Sequence, residues 1–327
     1  MPATSLLSPC DLGLIAADMR ALDEVIARRL QTDVVLVGQV ARYIITAGGK
    51  RLRPALLLLL CQALGYRGEQ RFNLAAVVEF IHTATLLHDD VVDDSALRRG
   101  RPTANQAFGR PASVLVGDFL YSRAFQMMVE AQSMAIMGVL ADATNVIAQG
   151  EVMQLMNMKD AALDEQGYLQ VIRSKTAKLF EASARVAAIL AGAPPELEAD
   201  CATYGQALGT AFQVIDDVLD YTGDVSLTGK NLGADLREGK ITLPLILAMR
   251  KGSTAQRALI EQAIETADCS RIDAVLEVVA QTGALQAALE VAAVEAHRAA
   301  EATRRLPDGP HARALLKLPT ALLQRQC

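Results

Sequence analysis

The chain has 327 residues, 51% hydrophobic and 21% charged, a globular composition whose length fits one large domain or two average ones. A net charge of −5 argues against nucleic acid as a partner, because such proteins present a basic face. The five cysteines are odd in number, widely spaced and free of any CxxC pair, so they read as reduced thiols of a cytoplasmic protein, not a disulfide framework.

In chain order, apolar periodicity predicts helices over 11–30, 33–47, 54–65, 73–94, 111–131 and 134–158. The pattern continues over 164–192, 195–223, 240–251, 255–267, 271–281 and 284–305. Pro54 and Pro195 fall in first turns, where the missing amide matters little. Segments 73–94 and 134–158 are apolar or small around most of their circumference, which predicts helices inside a bundle. Pro319, within the run RALLKLPTALLQRQC, predicts a kink or an end in the last helix. There is no alternating β-branched run and no Gly/Ser/Pro-rich linker, so the expected fold is all-α, one domain over 1–327. The apolar run at 55–61 is too short to span a bilayer, and the N-terminus lacks the basic and apolar regions of a signal peptide.

One acidic pattern occurs twice, DDVVD at 89–93 and DDVLD at 216–220. On a helix, positions i and i+4 stand one above the other, so Asp89 and Asp93 share a face with Asp90 on its flank. Asp216, Asp217 and Asp220 repeat the arrangement, and both motifs follow strongly apolar sequence. A single copy would read as a solvated helix end. Two copies at the ends of buried helices crowd six carboxylates that need cations, and hard oxygen donors favour Mg²⁺, with Mn²⁺ as a substitute. With four histidines and no paired cysteines, zinc is not expected. Basic residues flank both motifs: Lys50, Arg51 and Arg53 in GGKRLRP, Arg98 and Arg99 after the first, and Lys175, Lys230 and Lys240 around the second. Singly each reads as a surface side chain, but together they suit one diphosphate bound through metal and a second bound without it.

GGKRLRP, DDVVDDSALRRG, the KT pair at 175–176, FQVIDDVLDYTGD and GKNLGADLREGKITLP appear in the order found in trans-isoprenyl diphosphate synthases, and from about residue 15 to 310 the chain resembles that family. VEFIHTATLLHDDVVDDSALRRGRPTAN and ASVLVGDFLYSRAFQMM resemble its long-chain bacterial branch, the octaprenyl-producing members most of all. The resemblance implies a helical bundle around a central cavity and Mg²⁺-dependent, head-to-tail condensation of isopentenyl diphosphate with an allylic diphosphate such as farnesyl diphosphate. Carried over by position, isopentenyl diphosphate falls to Lys50, Arg53, His82 and Arg99, and the allylic diphosphate to Arg98, Lys175, Thr176, Gln213, Lys230 and Lys240. Asp89, Asp93 and Asp216 are the implied metal ligands; Asp90, Asp217, Asp220, Lys175 and Lys230 complete the implied catalytic set. His82 lies two turns before Asp89 on nearly the same face, and it reads either as part of the cavity or as a hydrogen-bonded core histidine. His88 points elsewhere and reads as structural.

Family members that make short products carry bulky aromatics at the fourth and fifth positions before the first motif. Here those positions are Thr85 and Ala84, which implies a long product, C40, of the kind that serves quinone side chains; simple helix packing is the competing reading. The methionines Met127, Met128, Met153, Met156 and Met158 read equally as tunnel lining or core filling. The other readings are a geranylgeranyl or nonaprenyl product, a terpene cyclase and a silent partner subunit. The scarcity of aromatics opposes the cyclase, and two complete acidic motifs oppose the silent subunit. The resemblance also implies a homodimer, with transient membrane contact at product release compatible with the absence of a spanning segment.

Overall fold

The computed structural model describes residues 13–222, 233–266 and 269–324. The chain runs through α1 (Ala16–Arg29), α2 (Val35–Thr46), α3 (Leu52–Ala63) and α4 (Gln70–Val92). A small hairpin, β1 (Leu97–Arg98) and β2 (Arg101–Pro102), leads into α5 (Ala104–Phe108), α6 (Arg110–Glu130) and α7 (Met134–Met156). Then come α8 (Glu165–Ile172), a π-helical turn at Arg173–Ala177, α9 (Lys178–Leu190) and α10 (Pro195–Thr222). The remainder is α11 (Ala234–Arg237), α12 (Leu243–Lys251), α13 (Thr254–Thr266), α14 (Ile272–Gln281), α15 (Ala284–Glu301) and α16 (Pro310–Leu323).

Leu56 to Leu60 on α3 are all buried, which a run of five leucines permits only where neighbours close on every side. Those neighbours include α4, α9 and α16. The acid-bearing helices α4 and α10 both pack against α9, and the buried apolar residues form one continuous cluster. Each fully buried leucine contributes about 1.5–3 kcal/mol, so this spine fixes the two helices firmly.

Three departures from the sequence reading matter for function. The predicted 164–192 helix is interrupted by the π turn, which carries Lys175 and Thr176. It is gripped closely: a Cβ on Gly150 of α7 would lie 2.7 Å from the Lys175 amide, and one on Gly209 of α10 would lie 2.7 Å from Ala177 Cα. Secondly, α7 is not wholly interior, since Met134, Val152, Leu155 and Met156 are exposed. Thirdly, α16 continues through Pro319. Proline removes the amide that the Leu315 carbonyl would accept from. The buried Tyr204 hydroxyl donates to that carbonyl at 2.8 Å instead. Among the described residues no single helix is long and apolar enough to cross a membrane.

Candidate active site

Both acidic motifs stand at helix C-termini, where the macrodipole disfavours each nearby anion by about 0.3–1 kcal/mol. Sequence that places carboxylates there is not built for helix stability. Asp89, Asp93, Asp216 and Asp217 line a single cavity of about 1100 Å³. On α4 the lining runs Glu79, His82, Thr85, Leu86, Asp89 and Asp93, a stripe at three- and four-residue spacing. Lys50, Arg53, Arg98, Arg99, Lys175, Thr176, Gln213 and Lys240 share the same space. Lys230 lies outside the described residues.

Around the first acidic motif, cations bridge segments distant in sequence. Lys240 Nζ donates to Asp93 at 2.7 Å and to Glu238 at 2.8 Å. Burial alone would lower that ammonium; Glu238 and Asp93 outweigh it and hold its pKa above the ordinary value. Lys175 is hydrogen-bonded to Glu151 on α7 and sits 3.7 Å from Asp89 Oδ2. Burial, then the Asp89 charge, pushes the Glu151 carboxyl up to about 7 against the pull of Lys175.

An arginine cluster carried by two strained loops forms another part of the wall. The hairpin turn is two residues, Arg99 and Gly100, both at positive φ, as such a tight turn requires. Arg51, which caps α3, is also left-handed at φ 44°; a non-glycine residue in that region costs about 1–2 kcal/mol. The loops touch, because any Cβ at Gly49 would lie 2.7 Å from the Arg99 guanidinium. Arg53 lies 4.5 Å over the Phe180 ring, and its Nη1 is 3.3 Å from His82 Nε2. Burial, then the neighbouring arginines, holds His82 well below the usual imidazole range. His82 is therefore neutral, and Nε2 accepts from Arg53. Burial likewise lowers Arg53 to about 10.

The donor set suits a hard divalent cation. Among the described residues no three acidic, His or Cys side chains converge tightly enough to cage an ion by themselves. An open array of carboxylates facing a shared space fits Mg²⁺, which takes one or two carboxylates and completes its shell with water and substrate phosphate.

A family model for polyprenyl synthetases matches residues 34–282. The chain belongs to the polyprenyl synthetase family. The synthetase is 50% identical over 313 residues to octaprenyl diphosphate synthase of Escherichia coli, covering 95% of this chain and 97% of that protein. It is 43% identical to a geranyl-diphosphate-specific all-trans-nonaprenyl-diphosphate synthase of Rhodobacter capsulatus, over 96% of this chain and 97% of that one. Its structure matches that of a Caulobacter crescentus polyprenyl synthase complexed with calcium and isoprenyl diphosphate, with a TM-score of 0.94 at 42% identity, covering 99% and 100% of the two chains. By family the synthetase is a prenyltransferase that extends trans-prenyl chains.

Several expected residues take other positions in the synthetase. Asp90 is fully buried outside the cavity lining, bound by Arg98 Nε at 2.8 Å and Nη2 at 2.7 Å, so it holds Arg98. The Asp220 carboxylate also lies outside the lining and accepts from the amides of Ala234 at 3.2 Å and Asp235 at 3.1 Å. Asp217 reaches the lining but is locked between Tyr168 and Gln213. Burial, then the Asp235 charge, raises its pKa while those two hydrogen bonds pull the other way. Ala84 is buried in helix packing outside the lining, whereas Thr85 lines the cavity. Met127 and Met128 are core, Met156 is exposed, and Met158 lines the cavity. His88 packs against α6, 6.1 Å from the Tyr121 ring.

The sequence reading missed Glu79, Glu151, Tyr168 and Asp235, all of which line the cavity. Glu151 could have been found: Ile147, Glu151 and Gln154 form a stripe on an otherwise apolar helix. Asp235 has no local signal, because its position depends on the turn that Asp220 caps.

Proposed function

We propose that the synthetase condenses isopentenyl diphosphate head to tail with an allylic diphosphate, farnesyl diphosphate being the starter of choice, and repeats the step to an all-trans C40 product. The observation that carries this reading is the single cavity lined both by Asp89, Asp93 and Asp216 and by Lys50, Arg53 and Arg99. Bound Mg²⁺ would be held by Asp89, Asp93 and Asp216 and would supply positive charge to a departing diphosphate. Lys175 and Lys240 add fixed positive charge beside Asp89 and Asp93, while Thr176, Gln213 and Arg98 complete the allylic site; Lys230 is assigned there by resemblance. Lys50, Arg53, Arg99 and neutral His82 hold the second diphosphate without metal, leaving its double bond facing the allylic carbon. Apolar side chains such as Leu86, Ile147 and Leu179 keep water from an electron-poor allylic centre.

The C40 length is supported by the named product of the Escherichia coli relative and by the small Thr85 in the cavity wall. A nonaprenyl product is the second reading, favoured by the Rhodobacter capsulatus relative. We read the chain as one domain of a cytoplasmic homodimer. Leu115, Phe125 and Val129 on α6 and Met134, Leu155 and Met156 on α7 leave apolar surface that a second copy would cover.

Radio-thin-layer analysis of products from farnesyl and isopentenyl diphosphates with Mg²⁺ tests this function. A dominant C40 band is expected, and a dominant C15 or C20 band would contradict it. Thr85→Phe should shorten the product without abolishing turnover; an unchanged length would remove Thr85 from the wall.

A further inference from the structure

We propose that Tyr168 is a positioning residue for the allylic site, acting through the buried carboxylate of Asp217. The inference rests on the reading of function above. Tyr168 on α8 is 3% exposed, and its side chain lines the cavity. Its hydroxyl donates to Asp217 Oδ2 at 2.5 Å. Gln213, one turn before Asp217 on α10, donates its amide nitrogen to Asp217 Oδ1 at 2.8 Å. Both oxygens of the buried carboxylate are thereby satisfied.

The consequence runs back to the π turn. With its nitrogen committed to Asp217, Gln213 must present its carbonyl oxygen to Thr176, whose hydroxyl donates to it at 2.9 Å. Tyr168 precedes the π turn and Thr176 lies within it, so one turn of α10 ties the chain on either side of Arg173 and Ser174. A π turn carries an extra residue relative to an α-turn. Left to itself, that extra residue can shift along the helix and rotate whatever follows. The two ties fix where it sits, and so fix the direction in which Lys175 projects toward Glu151 and Asp89.

Packing alone does not need the Tyr168 hydroxyl, since phenylalanine fills the same space. The hydroxyl is placed to hold register at the allylic end of the cavity. The arginine wall lies on α3 and the hairpin and shares none of these bonds. The two substrates should therefore respond differently.

The experiment is steady-state kinetics of full-length wild type and Tyr168→Phe with Mg²⁺, varying farnesyl and isopentenyl diphosphates separately. Losing a hydrogen bond to a buried carboxylate should raise KM for the allylic substrate about tenfold while KM for isopentenyl diphosphate stays within about twofold. Asp217→Asn should produce the same split, and adding Tyr168→Phe to it should change little more. Unchanged constants, an equal rise in both KM values, or a lower melting temperature with neither KM moved would overturn the proposal. Calorimetric binding of pyrophosphate with Mg²⁺ separates this inference from the functional reading, because it requires no turnover. If wild type binds severalfold more tightly than Tyr168→Phe, the role of Tyr168 stands even should wild type prove inactive with these substrates; equal binding overturns it.

Discussion

The motifs DDVVD and DDVLD differ by one apolar residue, yet the protein uses their carboxylates differently. In each, the first aspartate, Asp89 or Asp216, faces the cavity. In each, the second is buried and held by side chains: Asp90 by Arg98, Asp217 by Tyr168 and Gln213. The third positions part company. Asp93 faces the cavity and binds Lys240, whereas Asp220 turns to the backbone and caps α11. The repeated spelling therefore puts Asp89 and Asp93 of the first motif and Asp216 of the second in the cavity wall, with Asp217 beside them bound to Tyr168 and Gln213. Asp90 holds Arg98, and Asp220 anchors the start of α11.

The largest test of this division sets the first aspartates against Asp220. Asp89→Ala and Asp216→Ala should each lower turnover about a thousandfold with Mg²⁺ present, the scale expected when charge stabilisation at a leaving group is removed. A loss below tenfold in either would break the division. Lys240→Ala comes next. It removes the ammonium that Asp93 shares with Glu238, and should raise the allylic KM about tenfold, measured by varying farnesyl diphosphate alone.

Asp220→Ala should act mainly on stability. Loss of a capping carboxylate costs about 1 kcal/mol, which for a chain of this size lowers the melting temperature by about 1–2 °C. Calorimetry alongside turnover would show whether activity survives better than in Asp93→Ala. A pH-dependent effect concerns Glu151. Its pKa is raised from 4.5 to about 7 in the folded protein, so the native state binds more protons than the unfolded chain between those values. That contribution is fully present below 4.5 and is lost as pH rises through about 7. The metal-free wild type should therefore lose more melting temperature between pH 5 and 8 than Glu151→Gln does. Parallel curves would place the titration elsewhere.

How legible these features were depends on how local their causes are. The α4 stripe follows from helix geometry alone, so His82, Thr85, Asp89 and Asp93 were readable together. The arginine wall was readable as clustered charge, though not the left-handed backbone at Arg51 and Arg99 that aims it. The π turn has no pattern in RSKTA; it exists because Gly150 and Gly209 admit close neighbours from helices distant in sequence. Asp220 could not be told from Asp93 by spacing, because its partners lie fourteen and fifteen residues further along. Pro319 misled for the same reason: the group that satisfies the Leu315 carbonyl is Tyr204, far away in the chain.

We infer that Asp89 and Asp216 would hold one diphosphate through a divalent ion. Isothermal titration of pyrophosphate into wild type, Asp89→Asn and Asp216→Asn, each with and without Mg²⁺, tests it most directly. Tight binding by wild type only with Mg²⁺, and its loss in both variants, is the predicted result. Equally tight binding without the metal, or by either variant, would contradict it.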